Sequence, residues 1–160
     1  MTRVSSALVL LLAFATPVTA VDALGCFTRT YDRAHLSRHP DQLVTSVRFR
    51  IKRPPPDVLV KYWFDLEVRV RGRDKTLRTS GICDEKAPGL HCFVECDGGS
   101  VEVSPRGSHV MMYLNDRIRV AECGKELMDD GSGEELRGGK DDRVFRLDRV
   151  NDAACRRMEP

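Results

Sequence analysis

The sequence predicts an all-β fold: a closed antiparallel barrel of eight strands with a short N-terminal helix. From Gln42 onward, apolar and polar residues alternate with a period of two, which is typical of strands with one buried face. Turns rich in Pro, Gly, Asn and Asp separate these segments, so consecutive strands are expected to pair. An antiparallel meander has two exposed edges unless it closes, and eight strands close into a barrel. A two-sheet β-sandwich is the alternative.

The first predicted hairpin joins the segments 43–51 and 60–70. The run Pro54–Pro56 cannot donate ladder hydrogen bonds, so it is expected to form the connection. A register that keeps the apolar side chains on one face pairs Ile51 with Val60, Phe49 with Tyr62 and Val47 with Phe64, and sets Arg48 opposite Trp63.

Three further turns define the predicted registers of the next strands. The turn at 71–74 places Val68 across from Leu77, and it places Glu67 beside Arg78 as an opposite-charge pair. The second turn, at 97–100, is a glycine-rich hairpin signal, and the third is a bulged three-residue turn at 115–117. The second turn pairs Cys96 with Val101 and Val94 with Val103; the third pairs Leu114 with Ile118 and Met112 with Val120.

Two segments depart from the strand pattern. Residues Tyr31–Arg38 have helical character, with Thr30 placed as the N-cap and Pro40 near the end. The segment Gly124–Asp142 is rich in glycine and acidic residues and is predicted to be a mobile loop. A last strand is predicted from Arg143 to Val150.

The first 20 residues have the pattern of an export signal. Arg3 precedes an apolar run from Ala7 to Ala15, and small residues lead to a cleavage point after Ala20. The run is too short for a permanent transmembrane helix. We therefore expect residues 1–20 to be a signal peptide, 21–160 to be a single disulfide-bonded β domain, and the protein to be periplasmic or secreted. Acylation of Cys26 is the alternative way to process such a signal.

Six cysteines follow the predicted signal, and an oxidising compartment favours disulfides for them. Cys83 and Cys92 lie at facing ends of neighbouring strands and are predicted to pair. A bond between Cys123 and Cys155 would restrain the acidic loop. The two remaining cysteines, Cys26 and Cys96, are then predicted to form the third disulfide.

Charge is balanced overall but uneven along the chain. Without Arg3 of the 26 Lys and Arg, 25 bases face 24 acids, a net charge of +1 that does not indicate a nucleic-acid binder. Residues 42–82, however, contain ten bases and four acids. A local basic surface is expected where these strands lie side by side.

No arrangement of residues indicates catalysis, a metal or a cofactor. His35 and His39 are spaced to share a helical face, but no Glu follows His35 as in zinc hydrolases, and packing at the helix end explains both rings. Ser104 or Ser108 with His109 lacks the sequence context of a nucleophile. We expect a protein that is not an enzyme.

The most unusual outward residue is Trp63, on a face otherwise made of charges. An arginine stacked on the indole is one explanation. The other is a contact surface for an anionic polymer or an acidic protein. The predicted binding residues are Trp63, Arg48, Arg50, Arg69 and Arg71.

The residues Thr30-Tyr31, His35-Leu36, His39-Pro40-Asp41-Gln42 and Val44 resemble a segment of small exported bacterial proteins of unknown function. The resemblance covers about fifteen residues and implies no catalytic or binding residue. We therefore expect an exported, non-catalytic binding module. The alternatives are an inhibitor of a hydrolase such as lysozyme, which would use the acidic loop 125–142, and a small-ligand carrier that would use the barrel interior. The sequence leaves the partner and the oligomeric state open.

Overall fold

Strands occupy most of the computed structural model, which describes residues 23–122 and 134–158. The predicted signal peptide lies outside this range. The strands are β1 Gly25–Thr30, β2 Val44–Lys52, β3 Tyr62–Val70, β4 Leu77–Lys86, β5 Gly89–Phe93, β6 Gly99–Arg106, β7 His109–Glu122, β8 Glu134–Arg137 and β9 Val144–Val150. A short helix, α1 Arg33–Arg38, follows β1, and a 3₁₀ helix, Asp152–Met158, follows β9.

Eight of these strands close into an antiparallel barrel, which confirms the predicted fold class over the sandwich. The strands pair in the order β1, β2, β3, β4, β5, β6, β7, β9, and β9 pairs back with β1. The extra strand, β8, pairs with the second half of β7, where β7 leaves β6. No edge of the eight-stranded ring is left open.

The eight barrel strands are not the eight that the alternation predicts. The first strand, β1, closes the ring between β2 and β9 and was missed. The predicted strands on either side of 115–117 are instead one continuous strand, β7. The residues of the predicted turn form a bulge, because Gly99 pairs with Ile118 while Ser100 pairs with Asn115. Asp116 takes a positive φ of 67° within it.

One predicted register is confirmed and two are shifted by four residues. Between β3 and β4, Val68 faces Leu77 and Glu67 faces Arg78, as predicted. Between β2 and β3, Ile51 faces Phe64, Phe49 faces Leu66, Val47 faces Val68 and Arg48 faces Glu67. The connection is longer because a local turn, with Val58 N–H donating to Pro55 O at 3.1 Å, keeps residues 53–61 out of the ladder. The even shift preserves which side chains face the core.

The turn between β5 and β6 is also longer than the predicted two-residue hairpin. Cys92 faces Val101 and Leu90 faces Val103, so Cys96 and Val94 lie in the connection. Cys96 and Asp97 have φ of 56° and 59°, and they make the reversal. Gly99 is held against β7: a Cβ there would lie 2.0 Å from the Arg117 carbonyl oxygen. Gly99 also has a φ of 80°, so its backbone conformation and its close approach to β7 both favour glycine.

The barrel interior is filled by the inward side chains of the strands. They form one contiguous apolar cluster, in which each of four phenylalanines is at most 1% exposed. Burial of this surface is the main favourable contribution to folding. The largest of these side chains are Phe27, Phe49, Phe64, Phe145, Ile51, Leu66, Leu77, Leu90, Met112, Ile118 and Leu147.

The predicted helix is present but begins later than expected. Asp32, and not Thr30, is the N-cap of α1, and its side chain accepts from His35 N–H at 2.6 Å. The His35 and His39 rings stack with centroids 4.3 Å apart, and His35 Nε2 lies 2.9 Å from Gln42 Oε1. Among the residues with described coordinates, no group of three potential ligands could hold a metal ion.

The disulfides confirm one predicted pair and overturn another. Cys83 and Cys92 face each other on β4 and β5 and are bonded. Cys155 is bonded to Cys26, not to Cys123, so Cys26 does not pair with Cys96. The reason is that β9 lies beside β1, and the following 3₁₀ helix returns over Cys26, which is fully buried. Cys96 is exposed and free, and Cys123 lies outside the described residues.

The predicted acidic loop 124–142 contains regular structure in its described part. Residues 134–137 form β8, which corrects the loop prediction there; residues 124–133 lie outside the described range. Asp142 is only 1% exposed. Its carboxylate accepts the N–H groups of Leu43 (2.6 Å) and Val44 (3.2 Å) and so holds the segment before β9 to the start of β2. Burial raises its pKa, an effect that these two hydrogen bonds oppose.

Removing the two disulfides separately is expected to give unequal losses of stability. On the chain-entropy account, the Cys26–Cys155 bond, which spans 129 residues, contributes about 5 kcal/mol, and the nine-residue Cys83–Cys92 loop about 2.5 kcal/mol. Double alanine variants of each pair, unfolded in guanidinium, measure both losses. An equal loss, or a larger one for Cys83 and Cys92, would contradict the assigned pairing.

Asp142→Asn is expected to change how stability depends on pH. Because the folded-state pKa of Asp142 is raised above its ordinary value of 3.8, the folded protein holds this proton more tightly than the unfolded chain. The protonated Asp142 carboxyl therefore adds to the free energy of unfolding below pH 3.8, and this stabilisation is lost as pH rises through the folded-state pKa. The difference in unfolding free energy, native minus Asp142→Asn, should shrink across that window. A difference that grows with pH would show that the pKa is lowered instead.

Candidate functional site

Two rows of polar side chains cross the outer face of β1 to β4. Alternation places every second residue of each strand outside, and the observed registers align them across the sheet. The first row is Thr28, Arg48, Glu67 and Arg78; the second is Thr30, Ser46, Arg69 and Thr76. Four neighbouring strands at about 4.8 Å spacing make each row about 14 Å long.

Glu67 fixes the two arginines of the first row. Its Oε1 accepts from Arg48 at 2.9 Å, and its Oε2 accepts from Arg78 Nε at 3.0 Å and Nη2 at 2.8 Å. The Glu67 side chain is 11% exposed, whereas each arginine side chain is 35% exposed. The carboxylate therefore lies beneath the guanidinium groups and orients them. Because a guanidinium has five N–H donors and Arg48 gives one of them to Glu67, Arg48 keeps donors for a further partner.

Arg69 is the exposed cation of the second row. Its Nε donates to Thr76 Oγ1 at 3.3 Å, and Thr45 Oγ1 donates to the Arg69 carbonyl at 3.1 Å. Within the part of the chain that the structure describes, its guanidinium forms no ion pair. The Arg69 side chain is thus positioned by a neutral hydroxyl, and its backbone is held by another.

The two rows line an open groove of about 900 Å³. That volume is within the range of ligand sites in proteins. Its charged lining residues are Arg48, Arg69, Lys75, Arg78 and Glu67, which is four cations and one carboxylate; Lys75 and Arg78 also have further interactions within the chain. The groove is therefore the part of the basic segment 42–82 that folding gathers into a surface.

Hydroxyl groups occupy the β1 side of the groove, beside the charges. Those of Thr28, Thr30 and Ser46 make no hydrogen bond to any residue in the described ranges. Tyr31 lines the same groove. Burial raises the pKa of its phenol, and the Arg29 guanidinium opposes that shift. The phenol thus stays protonated near neutral pH, and the groove presents several neutral groups that both donate and accept.

The structure brings two of the five predicted binding residues into this groove and leaves the indole elsewhere. Arg48 and Arg69 line it. Trp63 lies near the opposite end of β3, opposite Lys52 and Ile82, so the predicted pairing of Arg48 with Trp63 is wrong. Six residues of strand separate Trp63 from Arg69, about 20 Å. The described cation–π contacts place Arg29 over Tyr31, Arg53 over Tyr62 and Arg149 over Phe27.

Arg50 and Arg71, the other two predicted residues, have different surroundings. Arg50 faces Cys26 on one side and Asp65 on the other. Arg71 Nη2 donates to the carbonyls of Leu36 (2.8 Å) and His39 (3.1 Å). These carbonyls lie at the C-terminal end of α1, where a cation is favourable. Arg71 therefore has a structural role in attaching α1 to the barrel.

Sequence reasoning missed the hydroxyl half of the groove because it missed β1. In the β1 segment, Phe27 is followed on the same face by Arg29, so the apolar alternation that identifies a strand is absent. The remaining signal is Thr28 and Thr30 with Cys26, three residues of one face. That signal is too short to separate a strand from an irregular segment.

Comparisons of this chain with protein-family models, with curated proteins and with solved structures find no match.

Proposed function

We propose that this protein is an exported, non-catalytic binding module that holds an anionic partner in the groove across β1 to β4. The observation that carries the proposal is the Glu67-bridged pair of Arg48 and Arg78 next to the exposed Arg69. Guanidinium groups already oriented by a carboxylate lose little further freedom on binding. Charge-assisted hydrogen bonds from arginine to an oxyanion are stronger than neutral ones.

The filled interior supports a surface site over a carrier function. The inward side chains contact one another in one cluster, and its phenylalanines are buried. A carrier would need space among them for its ligand. The groove instead lies on the outer face, where a partner of any length has access.

The inhibitor alternative has less support from the described residues. Most of the acidic segment 125–142 lies outside them or has structural partners. Glu135 is paired with Arg117 at 2.8 Å and is also bonded to Arg137, and Asp142 is buried. The basic groove is therefore the surface we assign to partner binding.

An exported location is part of the proposal. Two disulfides are present, and such bonds persist in oxidising compartments such as the periplasm or the outside of the cell. Among the helices that the structure describes, none has the length and apolarity to cross a membrane.

Binding of model polyanions tests the groove with a charge-matched control. Arg69→Gln with Lys75→Gln removes two exposed cations from the groove. Lys61→Gln with Lys86→Gln removes two cations that are 62% and 57% exposed and do not line it. Titration calorimetry with polygalacturonate and polyglutamate should show affinity about tenfold or more weaker for the groove variant, and within about twofold of native for the control.

A third variant separates the groove from a surface centred on the indole. Trp63→Ala should leave the affinity unchanged, because Trp63 lies about 20 Å along β3 from Arg69. Equal weakening by the two charge variants would mean nonspecific attraction. Loss of binding in Trp63→Ala alone would place the site around Trp63 and overturn the groove assignment.

A further inference from the structure

We infer that the partner held in the groove is an acidic glycan, a sugar polymer that carries carboxylate or sulfate groups among its hydroxyls. This inference rests on the proposed anion-binding function and specifies its ligand. It follows from the pattern of charges and hydroxyl groups along the two rows.

Hydroxyl side chains are the first part of the argument. Thr28, Thr30 and Ser46 lie side by side on β1 and β2, since Thr30 faces Ser46 and Thr28 is two residues before Thr30. None of the three has a hydrogen-bond partner in the chain as described. Each can donate one hydrogen bond and accept two. A ligand with several hydroxyls in each unit uses both capacities, whereas polyphosphate only accepts and polyglutamate offers a single amide donor in each residue.

The spacing of the charges is the second part. In the first row the cations Arg48 and Arg78 are separated by Glu67, and in the second row Arg69 lies between Ser46 and Thr76. The arginines of the first row converge on one carboxylate, and Arg69 is the cation of the second row, so a ligand meets three guanidinium groups within about 14 Å. The hydroxyls of Thr28, Thr30 and Ser46 lie together on the β1 side of these groups. An acidic glycan carries both kinds of group, with anions for the guanidinium groups and hydroxyls for the threonine and serine side chains.

A groove built for hydroxyls also has a specificity consequence. A site that hydrogen-bonds ligand hydroxyls discriminates against analogues that lack them, because its polar groups are left without partners on binding. We therefore expect polygalacturonate to bind more tightly than polyglutamate, although both carry carboxylates. Neutral dextran has the hydroxyls without the charge and should bind weakly.

Removal of the hydroxyls tests the inference separately from the proposed function. Thr28→Val, Thr30→Val and Ser46→Ala keep the shape and strand preference of the groove but remove its unpartnered hydroxyls. The triple variant should bind polygalacturonate about tenfold less tightly and polyglutamate within about twofold of the native protein. Arg69→Gln should weaken both. Thermal unfolding confirms that each variant is folded.

The outcomes separate the two claims. If polyglutamate or polyphosphate binds at least as tightly as polygalacturonate, or if the triple variant weakens both polymers equally, the glycan assignment is wrong while anion binding stands. If the groove charge variants change binding of no polymer, both claims fail. Should the triple variant not fold, O-acetylated polygalacturonate offered to the native protein gives the same test, since it keeps the carboxylates and loses the hydroxyl donors. Dextran sulfate, compared with polygalacturonate, tells sulfate from carboxylate preference.

Discussion

The insertion of β1 between β2 and β9 is the constraint on which the rest of the structure depends. It satisfies the backbone groups of both neighbouring strands and turns an open meander into a ring. The Cys26–Cys155 bond holds this strand from outside, where the 3₁₀ helix and Met158 cover it. Phe27 holds it from inside, as a fully buried member of the core. One short strand is thereby fixed on both of its faces and along both of its edges.

The candidate groove is a consequence of that closure. Thr28 and Thr30 exist as outward side chains in register with Arg48 and Ser46 only because β1 is paired with β2. The cations come from β2, β3, β4 and the turn before β4, all within the basic segment of the sequence. Glu67 keeps two of them oriented at partial burial, where an unpaired guanidinium would be costly. The groove is thus set mainly by the strand ladder, and the turn before β4 adds Lys75 and Thr76.

Much of this arrangement could be predicted from the sequence, and the omissions have physical causes. The alternation of apolar residues identifies β2, β3 and β4 and their buried faces, and the turn at 71–74 sets the Glu67–Arg78 pair correctly. The sequence does not determine the lengths of the β2–β3 and β5–β6 connections. A register slip by four residues keeps every side chain on its face, so the pattern alone did not reveal it. The same ambiguity misplaced Arg48 beside Trp63 and hid its real partner, Glu67.

Long-range pairing accounts for the other errors. The partner of Cys155 is 129 residues away, and nothing local indicates that β9 returns to β1. The residue types around Asp116 suit a turn as well as a bulge, and only the pairing of the same strand with β6 and β9 distinguishes the two. The sequence thus predicts the basic residues of the candidate site but not the hydroxyls of Thr28 and Thr30, because their position depends on closure of the barrel by β1.

Amide hydrogen exchange of the oxidised protein tests the closure most directly. If β1 is an interior strand of the ring, the amides of Phe27 and Thr28 should exchange as slowly as those of Leu66 and Val68 on β3, since all four lie in strands paired on both sides. Exchange of the β1 amides at the rate of an unstructured peptide, with β3 still protected, would contradict the closed barrel and the groove built on it.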